Sequence, residues 1–270
     1  MHYIPPDSSY PTDEYKTQKM VFRKIASGKY TIGGGGLRFS SDSAYPNSVH
    51  SVNISKDYYI GIFEMTVAQY QRLANGNTSN NTKTPQQQIS WNTIRGSAGS
   101  GSRPGAGILK NLNDKTKNGD GTAFVKSSNA LTGFDLPTES MWEIAARAGD
   151  TNEYPGGSTT ANVTKYAWVA QSNGYNHEVG TKDPNQWGLF DCLSNVWEAT
   201  RDSGNSGNLA TLQPDGLKPI TTASSSGSTG LRGSCNWRPA SDCFFAGRYL
   251  WANNNQNNNA GCRIAFIPES

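Results

Sequence analysis

The sequence predicts an α+β fold with few helices, short strands and many loops. Its 270 residues include 29 glycines and 13 prolines, a composition typical of a loop-rich chain and not of a helical bundle. Seven tryptophans and 12 tyrosines supply bulk for an aromatic core. Apolar and polar residues alternate only over short stretches, and few segments carry the residues that begin and end helices.

The N-terminal quarter predicts a polar leader followed by short strands. Residues 1–19 show no periodic pattern, and we interpret them as a tether or leader before a single domain over 20–270. Strands are expected at the start of that domain, over 29–32, and twice within 49–62. The glycine run 33–36 lacks the Lys-Ser/Thr pair of a phosphate-binding loop, so it is interpreted as a turn.

Two helices are predicted with clear start signals. One begins after Thr66, whose side chain can pair with Gln69 in a capping box, and stops at Gly76. The other covers 139–148, with Thr138 as its N-cap. Trp142, within this helix, and Trp197 are expected in the core.

The remaining segments predict irregular structure with isolated elements. A weaker helical region begins near residue 89 and resumes near 108, after a glycine- and serine-rich insertion over 96–101. Residues 187–198 indicate a turn and a strand, and 203–229 read as a long loop. A final strand over 261–266 is expected to return the end of the chain to the domain.

Composition excludes several classes of function. The net charge of +3 arises from 24 basic and 21 acidic residues, with no basic run longer than two, so nucleic-acid binding is not supported. No apolar stretch approaches the roughly 20 residues that span a bilayer. Only three histidines occur, and none has the setting of a Ser/His/Asp hydrolase.

The cysteines leave two readings open. No CxxC pair occurs, which together with the few histidines argues against a zinc site. An even number of cysteines is compatible with disulfides, and small buried thiols are the alternative. The four are Cys192, Cys235, Cys243 and Cys262.

The last forty residues differ in composition from the rest of the chain. Short framework phrases such as 232–234 and 261–263 alternate with large aromatic residues. Six asparagines within 253–259 bring no apolar side chain, so this tract cannot be core. We interpret the segment as a displayed face on a rigid body, and a plain solvated loop is the alternative for the asparagine tract.

The aromatic residues of this segment fit a core as well as a displayed face when they are taken singly. Phe244 and Phe245 are adjacent, as are Leu250 and Trp251. On a strand, where successive side chains alternate, both members of a pair cannot point inward. Because Trp, Tyr and Arg also dominate binding energies at interfaces, the pattern favours a displayed binding face.

Five phrases in order resemble the formylglycine-generating enzyme (sulfatase-modifying factor) family over about residues 20–267. They are 63–70 (FEMTVAQY), 89–91 (ISW), 136–147 (LPTESMWEIAAR), 188–198 (GLFDCLSNVWE), and the pair 232–234 (RGS) with 261–263 (GCR). The resemblance implies an elaborated C-type lectin-like fold with little regular secondary structure.

The activity of that family is not implied to the same degree. Its catalytic members bind copper through a closely spaced cysteine pair and oxidise a cysteine of a sulfatase-type substrate. Cys235 and Cys243 are eight residues apart, and the residues between them do not match. Converging thiolates require correct spacing, so we predict that the protein is not an enzyme and keep the copper-dependent oxidase as the alternative.

The chain also resembles the variable proteins of diversity-generating retroelements, which share this fold and include treponemal variable lipoproteins. In them, a segment between phrases like 232–234 and 261–263 is diversified, often at asparagine codons. The resemblance implies a bacterial cell-surface or extracellular protein, with a lipid anchor in its precursor, that binds a protein or other macromolecular ligand.

The predicted binding residues lie in that segment. Rings and aliphatic side chains would act as anchors, Arg238 as a polar contact, and the asparagines as the rim. The set is Trp237, Arg238, Pro239, Phe244, Phe245, Tyr249, Leu250, Trp251, Asn253, Asn254, Asn255, Asn257, Asn258 and Asn259.

The resemblance further implies a structural Ca²⁺ at the turn over 191–198, although binding itself requires no cofactor. Its ligands would be the side chains of Asp191 and Glu198 and the main-chain carbonyls of Ser194 and Val196, an oxygen set that suits Ca²⁺. Ser194 stands where the family has glycine. A purely hydrogen-bonded turn is the alternative.

Overall fold

A computed structural model describes most of the chain. The described residues are 13–34, 48–97, 102, 104–117, 121–122, 131–170, 175–204, 213, 215–221, 227–256 and 258–269. Several sequence predictions lie outside them: the first twelve residues of the tether, Gly35 and Gly36 of the predicted turn, 98–101 of the insertion, parts of the long loop, and Asn257.

Helices and strands are short and are joined by long irregular connections. The helices are α1 (Glu14–Thr17), α2 (Val67–Asn75), α3 (Trp91–Arg95), α4 (Gly107–Lys115), α5 (Glu139–Arg147) and α6 (Val163–Tyr166), with 3₁₀ turns at Thr160–Asn162 and Ala240–Asp242. The strands are β1 (Phe22–Ile25), β2 (Gly28–Ile32), β3 (His50–Ile54), β4 (Tyr58–Gly61), β5 (Gly133–Asp135), β6 (Trp197–Ser203), β7 (Ser228–Arg232), β8 (Arg248–Ala252), β9 (Ala260–Cys262) and β10 (Ala265–Ile267). The predicted α+β class is confirmed.

Three sheets organise the described strands. One has the order β1-β4-β10-β5, a second pairs β2 with β3, and the third has the order β8-β7-β6-β9. Neighbours are antiparallel except β6 and β9, which run parallel. The strands of the third sheet flank the C-terminal segment on both sides, so this sheet positions the candidate site.

The end of the chain crosses from one sheet to another. β9 extends the third sheet beside β6, whereas β10 lies between β4 and β5. The connection passes through Arg263, whose guanidinium is fully buried against the Glu198 carboxylate at 2.7 Å. The single strand predicted over 261–266 is therefore two strands in two sheets, because the chain bends where this ion pair forms.

α2 and α5 begin as predicted. Thr66 Oγ1 accepts the Gln69 N–H at 3.2 Å, and Gln69 Oε1 accepts the Thr66 N–H at 3.1 Å, which completes the capping box. Thr138 Oγ1 caps α5 by accepting a backbone N–H at 3.1 Å. α5 ends at Arg147, one residue earlier than predicted, because Ala148 takes the left-handed conformation with φ 49°.

α5 is the centre of the core, and all nine of its residues are buried. Trp142 on this helix and Trp197 on β6 are 1% and 3% exposed, which confirms that both are core residues. Two glutamates of α5 are also inside, where Glu139 pairs with Arg248 of β8 at 2.5 Å and Glu143 pairs with Arg232 of β7. Buried charges require such partners.

The described part of the predicted tether packs on the domain. Residues 13–19 include α1, whose main-chain carbonyls accept hydrogen bonds from side chains of α2 and its cap: Thr66, Gln69 and Arg72. The packed region thus includes Tyr15, five residues before the predicted boundary at residue 20. A single domain stays a prediction, which two stable fragments on limited proteolysis would contradict.

Candidate functional site

The loop between β7 and β8 carries the most exposed tryptophan of the described residues. It starts at Gly233, with φ 91°, where a Cβ would lie 2.9 Å from a backbone carbonyl oxygen, so glycine is required. The Arg238 N–H then donates to the Cys235 carbonyl at 3.0 Å, ahead of the 3₁₀ turn at Ala240–Asp242. The Trp237 side chain is left 47% exposed.

Three predicted anchors of the displayed face are instead core residues. Phe244, Phe245 and Trp251 are 5%, 3% and 2% exposed. The Phe244 ring meets Tyr154 edge-on at 6.3 Å, and the Arg147 guanidinium lies 5.1 Å from the Phe245 ring. The alternation argument failed because residues 243–247 form no strand, so two successive rings can both turn inward.

The other predicted anchors are partly or fully accessible. Arg238 is half-buried, with its guanidinium 4.4 Å from the Trp237 ring, and Pro239 is exposed. On β8, Tyr249 and Leu250 are half-buried, and the Tyr249 ring stacks on Trp197 at 5.8 Å. These side chains remain candidates for ligand contact.

Main-chain hydrogen bonds hold both ends of the asparagine tract. The Asn253 N–H donates to the Gly227 carbonyl at 2.8 Å, and the Asn253 carbonyl accepts from the Asn92 N–H at 3.2 Å. At the other end, the Asn259 carbonyl accepts from the Trp197 N–H at 2.7 Å. Between them the exposed side chains are Asn254, Asn255, Gln256 and Asn258.

A second loop, which the sequence did not single out, lies beside Trp237. The Ala170 N–H donates to the Arg238 carbonyl at 2.8 Å, and Asn236 Nδ2 donates to the Tyr175 carbonyl at 2.8 Å. Tyr175 is 74% exposed. Its only sequence signal is a lone tyrosine in a polar stretch, which does not reveal proximity to a tryptophan some sixty residues later.

The base of this second loop is a stack of three side chains. The rings of Trp168 and His177 lie 3.5 Å apart and nearly parallel, at 13°. Lys182 Nζ lies 4.2 Å from the Trp168 ring and donates to the Thr164 carbonyl at 2.8 Å. Burial lowers the pKa of His177, with the nearby Lys182 charge adding to this effect, so the imidazole is neutral at pH 7.

The predicted calcium ligand Glu198 has other partners. Its carboxylate is buried and accepts from the Arg263 guanidinium and from the Trp142 indole N–H, both at 2.7 Å. Within the described ranges, no three His, Cys, Asp or Glu side chains are grouped so that they could hold a metal ion. These contacts do not fit Glu198 as a calcium ligand, because a cation would have to displace Arg263.

Asp191 fits a cation better. It is 2% exposed, its Oδ2 accepts from the Gly180 N–H at 2.6 Å, and its Oδ1 has no hydrogen-bond partner. Burial raises its pKa to about 6. Ser194 adopts the left-handed φ of 88° that a glycine would take more readily. Calcium binding by Asp191 with the Ser194 and Val196 carbonyls stays a prediction.

The cysteines are arranged unfavourably for thiol chemistry. All four are free and buried, as in the buried-thiol alternative. Burial raises the pKa values of Cys235 and Cys243 to about 12. Since the thiolate is the nucleophile and the metal ligand, neutral buried thiols are poorly prepared for copper binding or oxidation.

Solved structures with this fold come from proteins of different kinds. Treponema denticola variable protein 1 has 23% identity and a TM-score of 0.67, and it covers 98% of this chain and 100% of its own. PvdO from Pseudomonas aeruginosa has 18% identity and a TM-score of 0.65 over 91% and 93%. CarF has 16% identity and a TM-score of 0.61 over 93% and 99%. At these identities the likeness shows the fold alone.

Sequence comparison shows the family. A 77-residue stretch is 39% identical to the formylglycine-generating enzyme of Mycobacterium tuberculosis, covering 24% of this chain and 26% of that enzyme. The match thus spans about a quarter of the curated relative's length. Residues 8–266 match the family described as sulfatase-modifying factor enzyme 1-like domain. The chain therefore belongs to the sulfatase-modifying factor enzyme 1-like domain family.

Proposed function

We propose that this protein is a ligand-binding protein without catalytic activity, whose site is the face around Trp237. The main support for this proposal is the exposure of the Trp237 ring. Among the described residues only three large hydrophobic side chains are exposed, Val49, Tyr175 and Trp237, and two of them belong to adjoining loops. Exposed aromatic rings next to arginine and asparagine are typical of protein-binding surfaces.

The proposed site comprises the exposed and half-buried members of the predicted set. Trp237, Arg238 and Pro239 form its centre, Tyr249 and Leu250 its side, and the exposed asparagines its rim. The buried Phe244, Phe245 and Trp251 belong to the core and are left out of the proposed site. A macromolecular partner suits the arrangement, because the candidate residues are spread along two loops and a strand.

Diversification by a retroelement belongs to the same proposal. Main-chain hydrogen bonds fix both ends of the asparagine tract, so its exposed side chains can change while the backbone keeps its conformation. The likeness of fold to the treponemal variable protein supports this reading. Display at a bacterial cell surface, with a lipid anchor in the precursor, completes it. Within the described residues no helix is long and apolar enough to cross a membrane.

A capture experiment tests the binding function. Immobilised wild-type protein, Trp237→Ala and Val49→Ala are each incubated with solubilised surface proteins, and the retained proteins are identified by mass spectrometry. We expect a partner retained by the wild type and by Val49→Ala, but lost with Trp237→Ala at an unchanged melting temperature. Equal retention by Trp237→Ala would contradict the proposed site.

The copper-dependent oxidase is the alternative function. It is favoured by the family membership and by the two cysteines in the same loop, and opposed by their burial. We expect no turnover when the copper-treated protein is given a cysteine-containing peptide of sulfatase type. Turnover that disappears with Cys235→Ser would establish the oxidase instead.

A further inference from the structure

Two exposed aromatic residues of the molecule come from loops that are distant in sequence but joined by hydrogen bonds. Tyr175 belongs to the loop before β6, and Trp237 to the loop after β7. The residue next to Trp237, Asn236, donates from Nδ2 to the Tyr175 carbonyl at 2.8 Å. The main chain of Tyr175 therefore borders the proposed site, although this residue lies outside the predicted variable segment.

The junction between the two loops is rigid. Asn236 is fully buried, and its Nδ2 also donates to Asn176 Oδ1 at 2.9 Å. Asn176 Nδ2 in turn donates to Gln87 Oε1 at 2.7 Å, which extends the chain of amides. The bond from the Ala170 N–H to the Arg238 carbonyl ties the loops a second time. Residues held at such a junction lose little conformational freedom when a ligand binds.

Most charged side chains of these loops are paired with an opposite charge. The pairs are Arg238–Asp242 at 3.5 Å, Lys83–Glu178 at 3.3 Å and Lys165–Asp183 at 3.6 Å. Lys182 is placed over the Trp168 ring, and the lowered pKa of His177 keeps its imidazole uncharged at pH 7. A strongly charged ligand would therefore find little complementary charge, whereas an uncharged one would not have to displace ion pairs.

We propose that Tyr175 and Trp237 together bind an extended, uncharged peptide segment of the partner protein, with Tyr175 as a constant anchor beside the variable loop. This inference rests on the proposed function. Rings of this kind accept aliphatic or proline side chains, and neighbouring side-chain amides can pair with peptide main-chain groups. Asn236 is a positioning residue that joins the two loops carrying these anchors.

A peptide selection tests the inference. Phage displaying random twelve-residue peptides are selected on the wild-type protein, and recovered peptides are synthesised and titrated against single variants by biolayer interferometry. We expect uncharged sequences whose affinity falls at least tenfold in both Tyr175→Ala and Trp237→Ala. Val49→Ala is the matched control, since it removes the third exposed hydrophobic side chain elsewhere on the molecule, and it should leave the affinity unchanged.

The other outcomes are distinguishable. Loss of binding in Trp237→Ala alone would overturn the composite site and leave the proposed function intact. Recovery of strongly acidic or basic peptides would overturn the stated ligand chemistry. Peptides indifferent to both variants, or no recovered peptide, would overturn the composite site, while the capture experiment decides the proposed function separately. Thermal melting of each variant confirms that any loss of affinity does not arise from unfolding.

Discussion

The helix α5 and the loop between β7 and β8 are held together by different groups. In α5, side chains make the connections: Glu143 pairs with Arg232, and the Trp142 indole N–H donates to Glu198. In the loop, main-chain groups make many of them, such as the bonds from Arg238 to Cys235 and from Ala170 to Arg238. A region held by its backbone tolerates new side chains, whereas a region held by side chains does not.

The division between buried supporting residues and exposed residues does not follow the boundaries of the predicted variable segment. Arg248, Phe244, Phe245 and Trp251 lie within that segment, yet they are buried like the residues of α5. Trp237, Pro239, Asn254, Asn255 and Asn258 are exposed. The segment thus contains a supporting layer and a displayed layer, and substitutions should separate the two.

The largest effect is expected from breaking the ion pairs of α5. Glu143→Ala leaves the buried Arg232 guanidinium without this partner, and such a loss typically lowers the free energy of unfolding by about 3–5 kcal/mol. Urea denaturation of the wild type and of the variant measures this loss. Asp183→Ala removes an exposed partner of Lys165 and should change stability by less than about 1 kcal/mol. Similar losses in the two variants would contradict the contrast.

A second comparison separates the layers inside the loop region. Phe245→Ala empties a buried site under Arg147 and should lower the free energy of unfolding by about 3 kcal/mol, since the neighbouring turn can relax only in part. Trp237→Ala should change it by about 0.5 kcal/mol or less. If Trp237→Ala destabilises as strongly as Phe245→Ala, the exposed ring is structural and the proposed face is wrong.

The third prediction concerns the pH dependence of the region that supports α5. Asp202 accepts the Glu139 N–H at 2.5 Å, and burial, reinforced by the Glu139 charge, raises its pKa to about 7. An acid with a raised folded-state pKa keeps its proton more firmly in the folded protein. Its contribution is therefore complete below about pH 4, near the unfolded pKa, and is lost as the pH rises toward 7.

Denaturation between pH 4 and pH 7 checks this sign. The slope that Asp202 contributes is at most about 1.4 kcal/mol per pH unit. Asp202→Asn should flatten the fall in stability, while Trp237→Ala should keep the wild-type slope. An unchanged slope in Asp202→Asn would contradict the assignment.

The last prediction concerns calcium at Asp191. If Asp191 and the Ser194 and Val196 carbonyls bind the ion, saturating Ca²⁺ at about one hundred times its Kd raises the free energy of unfolding by about 2.7 kcal/mol. Asp191→Asn should abolish the rise in melting temperature. Elemental analysis without bound calcium, together with melting unaffected by a chelator, would remove the prediction.

The sequence determined features that depend on neighbouring residues. The capping box of Thr66 and Gln69 and the cap at Thr138 were predicted correctly, because these hydrogen bonds join groups three residues apart. The ordered phrases likewise indicated the family and its fold, since each carries the residues of one local element.

Only the tertiary structure decided which side chains of the C-terminal segment face solvent. Phe245 is buried because the chain turns there and does not form a strand, and Tyr175 borders Trp237 through a bond between residues 61 positions apart. Glu198 could likewise be recognised as the partner of Arg263, 65 residues away, only in the folded chain. Burial and pairing of this kind depend on long-range contacts, and no local pattern of residue types encodes which distant groups will meet.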